Sequence, residues 1–237
     1  MLRWIFPTTC TLCGEPTEET TLCDACLASL PRVPTPICLS CGSPTDGQAE
    51  RPDRCPACAR HHRKLAFARS ALAYSPEALQ LVHNLKYHRG NHLAPALAPL
   101  LEELWAQTPQ LRQHRDWVLV PVPIRYERLW QRGYNQAEEL ALGLAKQHGL
   151  PLVQALERRK TDVASQTRLS AALRERNARR AYHPLPAYAK GKRLLPPHLL
   201  LIDDVYTTGA TLRACAAALK SCRPDAVVGA LTLLRMG

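Results

Sequence analysis

The sequence predicts an α/β fold, with a mainly parallel sheet and helices on both faces, preceded by a small cysteine-rich module. Two observations support this fold class. From Leu65 onward, short apolar runs typical of buried strands alternate with amphipathic stretches of helical period. Before that point, eight of the ten cysteines stand in four C-x-x-C pairs. We therefore expect two domains, at residues 1–62 and 63–237.

The composition favours a folded protein that is not anchored in a membrane. A chain of 237 residues, 46 % of them hydrophobic, can hold one α/β domain and a small module. No apolar run approaches the ~20 residues of a membrane span. The start, MLRWIFPTTC, has too small an apolar patch for a signal peptide. We expect a cytoplasmic protein with no transmembrane segment.

The net charge of +11 is unevenly distributed along the chain. Residues 1–60 carry five basic and seven acidic side chains, so the basic excess belongs entirely to the rest of the chain. Such an excess favours a polyanionic partner or substrate, although a basic surface also serves solubility.

The four C-x-x-C pairs are Cys10/Cys13, Cys23/Cys26, Cys38/Cys41 and Cys55/Cys58. Each pair places two thiolates on one tight turn, which suits a tetrahedral metal. CTLCGEPT at Cys10 is echoed by CLSCGSPT at Cys38, and a second pair follows each motif. The repeat favours two structural zinc ions with sequential pairing, but a cross-braced arrangement stays open. Redox dithiols are the other interpretation, which four repeated copies without a βαβ pattern disfavour.

Two helices are predicted early in the main domain. Ser75–Tyr87 has Ser75 as N-cap and apolar residues at core-facing spacing, and Ala94–Trp105 follows as a second helix. Between them, LKYHRG (85–90) forms a basic corner. This corner is either a phosphate contact or a solvated helix end.

Trp117–Val122 is the next predicted buried strand, and a cluster of arginines follows it. The arginines, gathered around a turn at Gly133, are Arg125, Arg128 and Arg132. Asn135 then opens a helix that Gly149 ends. A guanidinium group holds two phosphate oxygens in its planar fork, so this turn is a candidate phosphate contact.

The stretch from Leu199 to Thr211, LLLIDDVYTTGAT, carries the strongest functional pattern. Leu199–Ile202 reads as a buried strand, and Asp203 and Asp204 follow where that strand would surface. The small residues of 207–211 open a helix whose first N–H groups favour an anion. Carboxylates accept hydrogen bonds from vicinal hydroxyls and hold Mg²⁺. A sugar phosphate fits both halves, whereas the alternative is a turn whose Asp and Thr residues only cap the helix.

This stretch resembles the binding signature of type I phosphoribosyltransferases. The resemblance implies that the loop holds the 5′-phosphate of phosphoribosyl pyrophosphate (PRPP), that the acidic pair holds its ribose hydroxyls, and that Mg²⁺ accompanies the ligand. It also implies that the arginine turn faces the pyrophosphate. The predicted PRPP-binding residues are Asp203, Asp204, Tyr206, Thr207, Thr208, Gly209, Ala210, Thr211, Arg128, Arg132 and Asn135, with Asp203 and Asp204 as catalytic candidates.

The segment VPVPIRYERLWQRGYNQAEELA resembles the signature of the ComF/GntX-type family. These bacterial proteins, tied to competence and the use of external DNA, join an N-terminal zinc domain to a phosphoribosyltransferase domain. The resemblance covers nearly the whole chain, with one mild departure at Tyr134, where Phe is usual. It implies two zinc ions and a type I phosphoribosyltransferase-like sheet in this chain.

Residues 158–180 contain eight basic and two acidic side chains. The family pattern here is matched by Arg158, Thr161, Gln166, Leu169, Arg174 and Asn177. The resemblance implies a mobile loop that closes over the substrate; a solvated basic helix and a nucleic-acid contact surface are the alternatives. The candidate residues for the lid or for nucleic acid are Arg158, Arg159, Lys160, Gln166, Arg174, Arg176, Arg179 and Arg180.

Two functional hypotheses follow. The first is a PRPP-binding phosphoribosyltransferase-like protein linked to DNA uptake, whose acceptor no motif identifies. The second is a non-catalytic factor that handles single-stranded DNA or binds proteins of the competence machinery, with the PRPP site as a sensor. An intact acidic pair favours chemistry, and the family association with imported DNA favours the second.

Overall fold

The computed structural model describes residues 8–17, 21–46, 55–59, 64–87, 90–160 and 171–236, and only the backbone of 171–175. The cysteine-rich module contains β1 (Thr8–Thr9), β2 (Pro16–Thr17), α1 (Asp24–Ser29) and α2 (Pro56–Ala59). The remainder contains β3 (Phe67–Ala73), α3 (Pro76–Lys86), a 3₁₀ turn (Gly90–Leu93), α4 (Ala94–Ala106), α5 (Pro109–Arg112), β4 (Val118–Pro121), α6 (Tyr126–Arg132), α7 (Gln136–His148), β5 (Leu156–Arg158), α8 (Ala171–Ala181), β6 (Tyr182–Pro184), α9 (Pro186–Ala189), β7 (His198–Tyr206), α10 (Ala210–Cys222) and β8 (Val227–Arg235).

The main sheet has four parallel strands in the order β3-β8-β7-β4. A separate antiparallel pair, β5 and β6, lies beside it. Parallel strands need crossover connections, and α3, α4, α6, α7 and α10 supply them. The prediction of an α/β fold with a mainly parallel sheet is confirmed.

The two faces of the sheet are covered by different helices. Leu200 and Ile202 of β7 pack into a core that includes residues of α3, α4 and α7. Leu199 and Leu201 pack into a second core with residues of α10 and the β5–β6 pair. Neighbouring residues of a strand point to opposite faces, so the continuous apolar run of β7 fills both cores.

The predicted helix ends are confirmed. The Ser75 hydroxyl accepts a hydrogen bond from the N–H of Ala78, and α3 begins at the following Pro76. Asn135 caps α7, and Gly149 ends that helix in the left-handed conformation with φ of 65°. A residue without Cβ adopts this conformation without steric cost.

The strand that carries the acidic pair is longer than expected. The predicted strand ends at Ile202, but β7 continues to Tyr206, because β8 pairs with it as far as Arg235. Asp203 and Asp204 therefore lie inside the strand and are buried, rather than where it surfaces.

The cysteine-rich module borders the free edge of β3. The Ala73 N–H donates to the carbonyl of Pro31, and the Ala68 N–H donates to that of Ser40. Arg32 also forms an antiparallel bridge with Leu72. The segment 31–40 thus covers polar backbone groups that an exposed edge strand would leave unpaired. No helix within the described ranges has the length and apolar content needed to cross a lipid bilayer.

Candidate anion site and metal clusters

The acidic pair lies at the carboxyl end of the central strand β7. The Oδ1 atom of Asp203 accepts a hydrogen bond of 2.9 Å from the backbone N–H of Asp204. The Oδ2 atom of Asp204 lies 2.5 Å from the ammonium nitrogen of Lys86, at the end of α3. Burial and the adjacent charge of Asp204 raise the pKa of Asp203 well above its ordinary value. Asp203 is thus a carboxyl group whose protonated form is favoured, and Asp204 is the group that pairs with Lys86.

The loop after β7 turns directly into α10. Thr207 is exposed, and Gly209 has φ of 71°, in the left-handed region. The N–H of Ala210 donates to the Thr208 hydroxyl at 3.4 Å, and the Arg213 guanidinium donates to the Thr208 carbonyl at 2.8 Å. Ala210 opens α10, whose first turn has N–H groups without intrahelical acceptors. The turn therefore has the geometry and the dipole of an anion site.

Tyr206 is buried directly beneath this loop. A Cβ atom added to Gly209 would lie 2.4 Å from the phenolic oxygen of Tyr206 and 2.7 Å from its Cζ. The Arg235 guanidinium lies 4.4 Å from the centroid of the same ring. Burial raises the pKa of Tyr206 to about 12. The ring thus packs against the glycine turn, and the PRPP contact predicted for Tyr206 stays a prediction.

A cavity of about 390 Å³ lies beside Lys86, the ion-pair partner of Asp204. Its lining residues are Lys86, Tyr87, Arg128, Trp130, Gln131, Arg132, Gly133 and Tyr134. The basic corner and the arginine turn, separate in the sequence, meet here. Lys86 belongs to both the cavity and the ion pair with Asp204, so the acidic and basic halves of the site are adjacent.

Tyr87 organises the two cavity arginines. The Arg128 guanidinium donates to the Tyr87 hydroxyl at 3.3 Å, and the Arg132 guanidinium lies 5.1 Å from the Tyr87 ring centroid. Hydrogen bonds with Arg128 and Arg132 lower the pKa of Tyr87. Arg132 also donates to the side-chain carbonyl of Gln136 at 2.9 Å. Both arginines are thereby held beside the cavity.

Asn135 and Tyr134 fix the backbone of the arginine turn. The Asn135 amide donates to the Val122 carbonyl at 3.1 Å, and its oxygen accepts from the Ala137 N–H. The side chain of Asn135 is therefore engaged within the protein, which leaves its predicted pyrophosphate contact as a prediction. The Tyr134 hydroxyl, where the family resemblance leads one to expect Phe, donates to the Leu85 carbonyl at 2.6 Å. It ties the turn to the end of α3.

The basic stretch 158–180 is divided between several environments. The Arg158 guanidinium lies over the Tyr182 ring at 5.2 Å, Arg159 pairs with Glu157, and Lys160 pairs with Glu127 of α6. The exposed arginines of α8 are Arg176, Arg179 and Arg180. The predicted residues Thr161, Gln166 and Leu169, and the side chain of Arg174, lie outside the described residues. The part from Ala171 onward is helical, and the lid role stays a prediction.

Two groups of four thiols come together in the cysteine-rich module. Cys10, Cys13, Cys23 and Cys26 form the first cluster, and Cys38, Cys41, Cys55 and Cys58 form the second. The sulfur–sulfur distances Cys13–Cys23 and Cys41–Cys55 are 3.8 and 3.7 Å. A tetrahedron of sulfurs ~2.3 Å from zinc has edges of about 3.8 Å. The clusters therefore fit zinc, and the pairing is sequential rather than cross-braced.

The second cluster favours the thiolate form of one of its cysteines, Cys41. A hydrogen bond from the Cys58 thiol, the Ser43 backbone N–H and the charge of Arg235 lower the pKa of Cys41 to about 4, against the opposing effect of burial. The thiolate is the form that ligates a metal, so Cys41 is prepared for this role, whereas burial and the charge of Cys41 raise the pKa of Cys55. Sequence reasoning missed Arg235, for which a cation at the end of an apolar strand was the only signal. It placed Lys86 in the basic corner 85–90 but did not identify its partner Asp204.

The fold and these sites define an α/β protein with a candidate anion-site loop and an N-terminal double zinc ribbon. The double zinc ribbon domain family matches residues 1–59. The chain is 33 % identical over 215 residues to the DNA utilization protein YhgH of Salmonella typhimurium, and 30 % identical over 215 residues to that of Escherichia coli (strain K12), covering 89 % of each chain. It is 26 % identical over 217 residues to the competence protein ComFC of Streptococcus pneumoniae, covering 86 % of this chain and 89 % of that one. The chain belongs to the ComF-type family.

Proposed function

We propose that this chain binds PRPP with Mg²⁺ and works in the cytoplasm as a phosphoribosyltransferase-like protein in the utilization or uptake of DNA. The observation that carries the proposal is the position of Lys86. Its ammonium group pairs with Asp204, and its side chain lines the cavity that Arg128 and Arg132 border. Acceptors for ribose hydroxyls and donors for a pyrophosphate are thus neighbours, as a ligand with both groups requires.

Each part of the site matches one part of PRPP. The N–H groups of 207–211 suit the 5′-phosphate, and the carboxyl oxygens of Asp203 and Asp204 suit the ribose hydroxyls. These oxygens also suit Mg²⁺, whose positive charge favours the ionised form of both groups and which when bound neutralises charge on the pyrophosphate. Arg128 and Arg132 would stabilise the departing pyrophosphate as positive character grows on the sugar. The catalysis would be mainly electrostatic.

The biological setting is inferred from the relatives. The matched proteins are named for DNA utilization and competence. The basic excess outside residues 1–60 is consistent with an anionic substrate or partner in such a process. Within the described residues we identify no general base for an incoming nitrogen, so the acceptor is a matter for screening.

The test is binding and turnover of PRPP with Mg²⁺, followed by calorimetry and phosphorus NMR. The native chain is compared with the double variant Asp203→Asn, Asp204→Asn, which keeps the shape of both side chains. Binding with pyrophosphate release, both lost in the variant, would support a working transferase site. Binding without release, with nucleobases and single-stranded DNA present, would indicate a sensor. Absence of binding by the native chain would refute the proposal.

A second candidate function is the handling of single-stranded DNA. The observation that favours it is the exposure of two aromatic side chains on α6, Tyr126 at 72 % and Trp130 at 79 %. They flank Arg128 on the same short helix. Aromatic rings on which bases stack, beside cations that contact the backbone, are typical of single-strand binding. The exposed arginines of α8 could extend such a surface.

Fluorescence anisotropy with a labelled oligothymidine tests this second function. The expected result is binding that weakens steeply with salt and falls when Tyr126 and Trp130 are both replaced by Ala. Replacing Tyr74, a tyrosine 52 % exposed beyond the end of β3, serves as the matched control. Affinity that is equal in all three proteins would remove the aromatic pair from the interface.

A further inference from the structure

Arg235 connects the second cysteine cluster to the anion-site loop. It is the last residue of β8 and is paired in register with Tyr206 of β7. Its guanidinium group donates to the Cys41 carbonyl at 2.9 Å and lies 3.8 Å from the Cys41 sulfur. The same planar group stacks on the Tyr206 ring at 4.4 Å, with 6 % of the Arg235 residue exposed. One buried cation thus contacts a metal-ligand residue and the support of the loop.

The second cluster faces buried cations. Four thiolates around Zn²⁺ carry a net charge of −2. Arg69 and Arg235 are both buried beside this cluster, and Arg235 contacts the carbonyl and the sulfur of Cys41. A metal fixes the positions of its four ligand residues, so loss of the metal frees Cys41 and the carbonyl that holds the Arg235 guanidinium. The position of Arg235 therefore depends on the metal.

The loop in turn depends on the position of Tyr206. The Tyr206 carbonyl accepts a hydrogen bond of 2.8 Å from the Met236 N–H, which holds the residue against the end of β8. Gly209 packs so closely on the phenol that no Cβ fits between them. A shift of the ring would release the left-handed turn that directs the first N–H groups of α10.

The first cluster has a different setting. Cys10 packs with Leu22 and Leu30 in the core on the opposite face of the sheet, away from Tyr206. The arginine of this half of the module is Arg32, which donates to the carbonyls of Leu30 and Leu27 and pairs with Glu103 at 2.9 Å. The two halves of the repeat thus supply an internal control.

We propose that Arg235 is a positioning residue through which metal in the second cysteine cluster holds the anion-site loop in its binding conformation. The proposal rests on the proposed function for its consequence, namely that PRPP affinity depends on this one zinc ion. Metal loss or oxidation at the second cluster would then weaken PRPP binding, whereas loss at the first would not.

The test compares matched variants of the two halves in the full chain. Cys58→Ser and Cys26→Ser each remove one half-buried ligand, from the second and the first cluster respectively. Arg235→Met and Arg32→Met each remove one guanidinium group. For each protein, zinc content, far-ultraviolet circular dichroism, hydrogen exchange of the amides of 207–211 and PRPP affinity are measured.

We expect hydrogen exchange of the amides of 207–211 to be about tenfold faster in Cys58→Ser and Arg235→Met than in the native chain. The first-cluster variants, Cys26→Ser and Arg32→Met, should exchange these amides at the native rate. PRPP affinity should fall by about tenfold in Cys58→Ser and Arg235→Met. Arg235→Lys, which keeps the charge but not the planar stack on Tyr206, should give intermediate values. A purely structural role would slow or accelerate exchange throughout the sheet rather than in the loop alone.

The inference would be overturned if the amides of 207–211 exchanged at the native rate in Arg235→Met and Cys58→Ser. It would also be overturned if exchange were accelerated equally in the first-cluster variants. The exchange measurement needs no ligand. If the native chain failed to bind PRPP, the proposed function would fall, while loop exchange would still decide whether the second cluster controls the loop. The two failures are therefore distinguishable.

Discussion

The substitution Gly209→Ala tests the glycine turn at the centre of the candidate site. Gly209 has φ of 71°, and an added Cβ would lie 2.4 Å from the Tyr206 phenolic oxygen and 3.0 Å from an Arg213 nitrogen. The arginine can move, because its side chain is long and half-buried. The tyrosine cannot move freely, since it is buried and the Arg235 guanidinium lies 4.4 Å from its ring centroid. The clash must therefore be relieved by the loop or by the ring.

The magnitude follows from two contributions. A side chain in the left-handed conformation costs about 1–2 kcal/mol. Overpacking against a buried ring costs about 1–3 kcal/mol more. Gly191→Ala is the matched control, because Gly191 has φ of 67° but no atom within 4 Å of the added Cβ. We expect Gly209→Ala to be less stable than Gly191→Ala by about 1–3 kcal/mol, the overpacking contribution alone.

Urea unfolding of the zinc-loaded proteins measures the free energies, and calorimetry measures PRPP affinity. Since the loop must shift, we expect Gly209→Ala to bind PRPP at least about tenfold more weakly, a change of ~1.4 kcal/mol. Gly191→Ala should bind like the native chain. If both variants lost the same stability and kept the same affinity, neither the contact with Tyr206 nor the role of the turn in binding would stand.

Three further predictions concern buried polar groups. Because the pKa of Asp203 is raised, the folded state holds its proton more tightly than the unfolded state, so the free energy of unfolding should fall as the pH rises from ~4. Asp203→Asn should abolish this fall in urea titrations at a series of pH values. A pH profile that is the same in the variant and the native chain would contradict the prediction. Lys86→Met should lower the stability measured by thermal unfolding by about 1–3 kcal/mol, which is less than for a fully buried ion pair because Lys86 is partly exposed. Unchanged stability would mean that the ion pair with Lys86 does not stabilise buried Asp204. Ser70 and Thr232 share a buried hydrogen bond of 2.7 Å between β3 and β8. Ser70→Ala should lower the free energy of unfolding by about 1 kcal/mol. In a double-mutant cycle, Ser70→Ala with Thr232→Val should lower it by less than the sum of the two single variants.

Local patterns predicted two strands of the sheet, β4 and β7, and several of the helices beside them. The cap at Ser75, the left-handed end at Gly149 and the apolar run of β7 each involve residues close in the sequence, so spacing alone identifies them. The end of β7 was different. Its extension to Tyr206 depends on pairing with Arg235, which is distant in the chain, and no local signal reports that partner.

The chemistry of the site was only partly visible in the sequence. The acidic pair and the glycine turn stand in one stretch, and the motif identified them. Lys86 and Arg235 act through contacts across the fold: Lys86 reaches Asp204, and Arg235 reaches the carbonyl of Cys41. A lysine at a helix end is usually solvated, so the sequence could not single out this one. The sequential pairing of the cysteines likewise needed three-dimensional proximity, since spacing allowed two arrangements.

The position of the module on the sheet bears on where the chain divides. Composition separates residues 1–62 from 63–237, but the segment 31–40 supplies hydrogen bonds to the edge of β3, and the second cluster faces two buried arginines of the sheet. Without the module, the edge of β3 would lose its hydrogen bonds to Pro31 and Ser40, and the Arg235 guanidinium would lose the Cys41 carbonyl. We infer that the change in composition near residue 62 does not separate two independently folding domains. The second zinc ribbon and the sheet that carries the candidate anion site stabilise each other.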